Sequence, residues 1–126
     1  MVFLGIAIAT LVSFVVSALL YAVPAVSATI SRGSTPRPGL STAVQIGSVA
    51  VRSLIAACLV AGLMLAAPWH GPASGALLGL SLSALPLILL MGGVVHENTG
   101  LDVAGIHLLD WVVKLVLIGT IIGIFV

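Results

Sequence analysis

Hydrophobic positions fall into four long runs separated by three short polar breaks. The runs cover residues 2–23, 43–67, 73–95 and 103–126, each close to the roughly 20 residues a helix needs to cross about 30 Å of hydrocarbon. The expected architecture is an all-α membrane protein, with one domain over 1–126 and four transmembrane helices in a single bundle. The first 28 residues close on Val26-Ser27-Ala28, which mimics a signal-peptide cleavage site. No Lys or Arg precedes the opening run, and it exceeds the usual core of about 7 to 15 residues, so it reads as a first span instead.

The breaks carry turn chemistry. Residues 31–41, SRGSTPRPGLS, combine two prolines, two glycines and two arginines and read as an extended polar loop. Thr42 and Gln45 form a capping-box pattern at the start of the second span. Pro68-Trp69-His70-Gly71-Pro72 reads as a tight turn with a solvated His70. His96 to Asp102 reads as another, with Gly100 left-handed and Asp102 as the helix cap. Pro24 is expected to kink or end the first helix, and Pro86 to kink the third.

Within the spans, small residues recur at steps of four. Gly5, Ala9, Ser13 and Ser17 form such a stripe, Gly75, Gly79 and Ser83 repeat it, and Gly119 and Gly123 make a GxxxG pattern. These are helix-packing positions, because association in lipid depends on close backbone approach.

Polar residues inside the spans supply the candidate chemistry. In the last span His107, Asp110, Trp111 and Lys114 occupy about one third of the circumference, with Gly119 and Gly123 projecting elsewhere, so this helix can bury two seams. Charged side chains near a bilayer centre cost about 2.5 to 3.5 kcal/mol each on insertion scales, so the polar stripe must face helices, water or a partner chain. Arg52 lies ten residues past Thr42, about 15 Å along its helix, at a depth comparable with Asp110 and Lys114. A buried cluster of Arg52, His107, Asp110 and Lys114 is the expectation, supported by Tyr21, Gln45, His96, Glu97 and Trp111. One carboxylate against two cations leaves either an anion site, a third partner such as Glu97, or a neutral lysine.

Composition narrows the function classes. The chain is 61% hydrophobic and 6% charged, with mean hydropathy +1.40, where soluble domains are roughly a quarter charged. A formal charge of +1 offers no basic surface for nucleic acid. Cys58 is the sole cysteine, which excludes an internal disulfide. His96, Glu97, His107 and Asp110 are acceptable metal-ligand types in no recognised spacing, so no metal or other cofactor is expected. There is no nucleophile elbow, phosphate loop or HExxH helix, and an enzyme is not expected.

The run His107-Leu-Leu-Asp110-Trp111-Val-Val-Lys114-Leu115 followed by Ile118-Gly119-Thr-Ile-Ile-Gly123 resembles the C-terminal signature of the uncharacterised bacterial membrane proteins grouped as domain of unknown function 1761. Ser13-Phe14-Val-Val-Ser17-Ala18-Leu-Leu-Tyr21 and then Pro24 resemble that family's opening helix. The likeness covers both ends of the chain and is weaker in the middle. His96 to Asp102 lacks the aromatic residues typical of the family there. The resemblance implies about four helices in a bacterial cytoplasmic membrane and no established activity. Fluoride channels would need a Phe-Ser-Thr-Phe run, and small multidrug exporters a lone glutamate in the first span; neither is here.

The resulting expectation is a small transporter or channel for protons or small anions, working as a homo-oligomer or within a larger membrane complex. The alternative is a structural or accessory subunit whose buried charges fix helix packing. Arg32 and Arg37 put the 31–41 loop in the cytoplasm and both termini outside by the positive-inside rule.

Overall fold

Each hydrophobic run becomes a helix, and two of the four runs are broken or extended by proline. The computed structural model describes residues 1–126 as α1 (Val2–Ala22), α2 (Pro24–Gly33), α3 (Thr42–Ala66), α4 (Pro72–Leu82), α5 (Ala84–His96) and α6 (Leu101–Phe125), with no strand. Four stretches are long and apolar enough to cross a membrane: Val2–Ala22, Thr42–Ala66, Pro72–His96 and Leu101–Phe125.

Val23 is extended (φ −61°, ψ 125°) because the ring of Pro24 disfavours helical backbone in the residue before it. Pro24 then opens α2 at its first turn, where a missing N–H costs nothing. Helix therefore continues to Gly33, and the non-helical loop is only Ser34 to Ser41, shorter than the 31–41 segment expected from composition. The cap of α3 also lies one residue earlier than the Thr42 pattern implies: Ser41 Oγ accepts from the Val44 amide at 3.2 Å, and Gln45 Nε2 donates to the Leu40 carbonyl. At the turn before α6, Asn98 rather than Gly100 adopts the left-handed conformation (φ 56°). Asp102 sits in the first helical turn, accepting from the Val103 amide at 2.8 Å, and Gly100 occupies the cap position.

The third span is interrupted at Ser83, three residues before Pro86. Proline can neither donate to the carbonyl four residues back nor clear it sterically, so the ladder opens there. Ser83 is buried, and both its amide and its hydroxyl bond to the Gly79 carbonyl. The consequence is asymmetric: α4 packs tightly on α6 while α5, which has no buried residue, diverges from the bundle.

α6 is the central helix, with α1 and α4 on opposite sides and α3 completing the packing. Toward α4 its backbone approach is so close that a Cβ on Gly119 would collide with the Gly75 carbonyl, and one on Gly75 with the Gly119 carbonyl. Gly79 faces the Leu115 carbonyl and Gly123 the Gly71 carbonyl in the same way. Toward α1, Gly5 receives the Phe125 ring, and Ala9, Ser13 and Ser17 are buried in the same stripe. Only 23 of 126 residues are buried, so most large apolar side chains face outward, the distribution a bilayer solvent favours. His70, exposed in the turn before α4, has Nδ1 2.8 Å from the Val126 carbonyl, which ties that turn to the end of α6.

Candidate functional site

α1 and α6 run antiparallel, so residues descending α1 meet residues ascending α6 in reverse order. Ser17 meets Asp110, and one turn further Tyr21 meets His107. The Ser17 hydroxyl donates to Asp110 Oδ1 at 2.5 Å. Lys114 Nζ donates to Asp110 Oδ2 at 3.4 Å, the acid-first i,i+4 spacing within one helix. Both charged residues are sealed, Asp110 at 6% exposure and Lys114 at 1%. The ammonium also stands 5.0 Å from the centroid of the Trp111 ring, a favourable cation–π placement.

Tyr21 and His107 form the second part of the site. The Tyr21 hydroxyl and His107 Nδ1 share a hydrogen bond of 2.7 Å, and their rings lie 5.9 Å apart at 46°. Both residues are half-buried. Ser17 and Tyr21 also border a groove of about 280 Å³ between α1 and α3, with Thr42 and Gln45 at the end nearest the Ser34–Ser41 loop. Polar groups therefore follow one another from the loop-side rim at Thr42 and Gln45, past Tyr21 and His107, to Ser17, Asp110 and Lys114.

Arg52 makes no hydrogen bond or ion pair with them. The buried face of α3 is Ser53, Ala56, Ala57, Val60, Ala61 and Met64, and Arg52 lies roughly 110 degrees from the centre of that face at about 100 degrees per residue. It is exposed, and the chain's one ion pair is Asp110 with Lys114. The physical reason is charge balance: the single buried carboxylate is already matched by one ammonium, and a second buried cation would go unpaired. Ser53 instead presents the small side chain that lets the helices close, its hydroxyl buried without a hydrogen-bond partner. His96 and Glu97 are exposed at the end of α5 and meet neither His107 nor Asp110.

Ser17 is the residue whose role its spacing hides. In a stripe with Gly5, Ala9 and Ser13 it reads as a packing position, yet it supplies the hydroxyl on the carboxylate. The available signal is Tyr21, the next step of four, which carries the stripe from small residues into polar ones. Ser13, by contrast, bonds only its own helix, donating to the Thr10 carbonyl at 3.1 Å.

The family model described as "Protein of unknown function (DUF1761)" matches residues 4–123. No curated protein and no solved structure matches the chain.

Proposed function

The chain belongs to the DUF1761 family, whose description supplies no activity, and on that premise we propose a non-enzymatic membrane protein that moves protons, alone or with a small solute, through its helical bundle. One observation carries the reading: exchangeable groups succeed one another from a groove rim at Thr42 and Gln45, past the half-buried Tyr21 and His107, to a sealed carboxylate at Asp110. Stability alone gives no reason for such a set. Replacing a buried ion pair by apolar groups of similar volume is often neutral or stabilising, and ionisable residues inside a membrane mark ion or proton pathways by default. The same geometry weakens the anion reading, which needs free cationic donors to converge, since Lys114 is already committed to Asp110 and is sealed, while Arg52 is exposed.

The accessory-subunit reading has one observation in its favour. Asp110 and Lys114 neutralise each other within one turn of a single helix and are shut off from solvent, which suits a fixed structural bridge. Vesicles separate the two. Purified protein reconstituted with an internal pH dye and a clamped membrane potential is expected to dissipate a pH gradient, and Asp110→Asn to reduce that rate at least tenfold when assayed below its own, lowered melting midpoint. Wild-type vesicles no leakier than protein-free ones would reject proton movement and leave the accessory role.

Two further expectations belong to the proposal. The positive-inside rule, acting through Arg32 and Arg37, orients both termini outward, which cysteine labelling at the ends of α1 and α6 tests. A homo-oligomer is expected because a single bundle this small encloses little protected volume; sizing in native lipid discs reports the copy number.

A further inference from the structure

Where α5 diverges after the Ser83 break, it leaves a lateral groove of about 390 Å³ between itself, α3 and α6. Its walls are apolar, formed by residues such as Ile55, Leu59, Leu85, Leu89 and Trp111. The exception is Arg52. It lines the groove, is exposed, and has no ion-pair partner in the chain.

We propose that this groove holds an anionic phospholipid, its phosphate on the Arg52 guanidinium and its acyl chain along the apolar walls. Polarity along the groove favours that occupant. α3 starts beside the Ser34–Ser41 loop and α5 ends at the turn on the same side, where α2 reaches α6 through contact of Gly33 with Val103. Arg52 and Leu89 therefore mark the loop-side end, and Leu59 with Leu82 the deeper one. From Arg52 to Leu59 the groove runs about 10 Å along the helix axis. The guanidinium can reach from its deep backbone position back toward the loop side, where a phosphate drawn inward meets it, and the apolar walls carry an acyl chain from there toward the middle of the membrane. An arginine about 15 Å from the start of its helix is too deep to be hydrated at no cost, and drawing a phosphate toward it relieves that cost.

Charge complementarity distinguishes lipid from a second copy of the chain. There are three acidic residues in all. Asp110 is bound to Lys114 and Ser17, while Glu97 and Asp102 sit at the turn beyond the end of the groove. A neighbouring copy would bring no free carboxylate to the depth of Arg52. The bilayer offers phosphate along its whole surface, and guanidinium suits phosphate oxygens through its planar fork of donors.

Spin-labelled phosphatidylglycerol and phosphatidylcholine, compared by electron paramagnetic resonance on the reconstituted protein, test this directly. The wild type is expected to hold phosphatidylglycerol about fivefold more strongly than phosphatidylcholine. That preference should persist at about 1 M salt, where exposed charges such as Arg32 and Arg37 are screened and a charge inside an apolar groove is screened far less. Arg52→Gln should bring the ratio close to one, and the double change Arg32→Gln with Arg37→Gln should leave it. Leu59→Trp, which fills the groove at an exposed position and keeps the guanidinium, should also reduce the preference, so the outcome does not hang on one variant's folding. Loss of the preference in high salt, an unchanged ratio in Arg52→Gln, or efficient disulfide dimerisation through Ile55→Cys in native membranes would overturn the assignment, the last because a second copy would then cover the groove.

Discussion

Adding one methyl group at Gly119 tests the account of how the bundle is held together. A Cβ there would meet the Gly75 carbonyl oxygen in outright collision, stand 2.6 Å from its carbonyl carbon and 3.4 Å from the Ala76 nitrogen. All three atoms are backbone, so no side chain can swing aside. Ordinary carbon contacts lie at about 3.5 to 4.0 Å, which means α4 must retreat from α6 by about 1 Å. Overpacking of this kind costs about 1 to 3 kcal/mol, and the closeness of α4 to α6 puts Gly119→Ala near the upper end. Gly105 on the same helix is the control: it is exposed and nothing lies within 4 Å of a Cβ built there, so Gly105→Ala should gain about 0.5 to 1 kcal/mol from backbone entropy. Unfolding in mixed micelles of rising dodecyl sulfate content, followed by tryptophan fluorescence, reads both. Equal midpoints for Gly119→Ala and wild type would refute the reasoning, as would a parallel loss in Gly105→Ala.

Other substitutions probe the polar seam by the same assay. Ser17→Ala removes the hydroxyl from Asp110 and should cost about 0.6 to 1.7 kcal/mol, the range found for interhelical hydrogen bonds in membranes. Ser53→Ala deletes a buried hydroxyl that has no partner, so stability should hold or rise by up to about 1 kcal/mol. Asp110→Leu alone strands a buried ammonium and should cost about 3 to 5 kcal/mol, whereas Asp110→Leu combined with Lys114→Met should recover most of that loss. A double variant as unstable as the single one would show that the pair does more for the fold than neutralise charge.

How much of this the sequence carries depends on the kind of signal. Run length is a strong one: each span is long enough to cross hydrocarbon, and helix boundaries follow the polar breaks to within a few residues. The capping details and the extent of α2 are hard to read because Ser41 and Thr42 are adjacent and both cap helices, and because proline both ends one helix and begins the next. Face is harder to read than depth. Arg52, Asp110 and Lys114 share a depth, yet α3 turns its small residues inward and carries Arg52 to the side. Counting depth alone groups the three charges; following the small-residue face from Ser53 through Ala57 and Ala61 separates them. Ser17 shows the opposite problem, since serine serves equally as a small packing residue and as a donor, and only the partner helix decides which.

We propose that Asp110 exchanges protons with the loop-side groove by way of Ser17, Tyr21 and His107. Proton flux into reconstituted vesicles, read with an internal pH dye under a clamped membrane potential, tests that route directly. The predicted result is an imposed pH gradient that collapses faster than in protein-free vesicles, at least tenfold more slowly in Asp110→Asn, and more slowly in Tyr21→Phe than in wild type. Collapse at the wild-type rate in folded Asp110→Asn protein would contradict it, leaving Asp110 and Lys114 as a closed structural bridge.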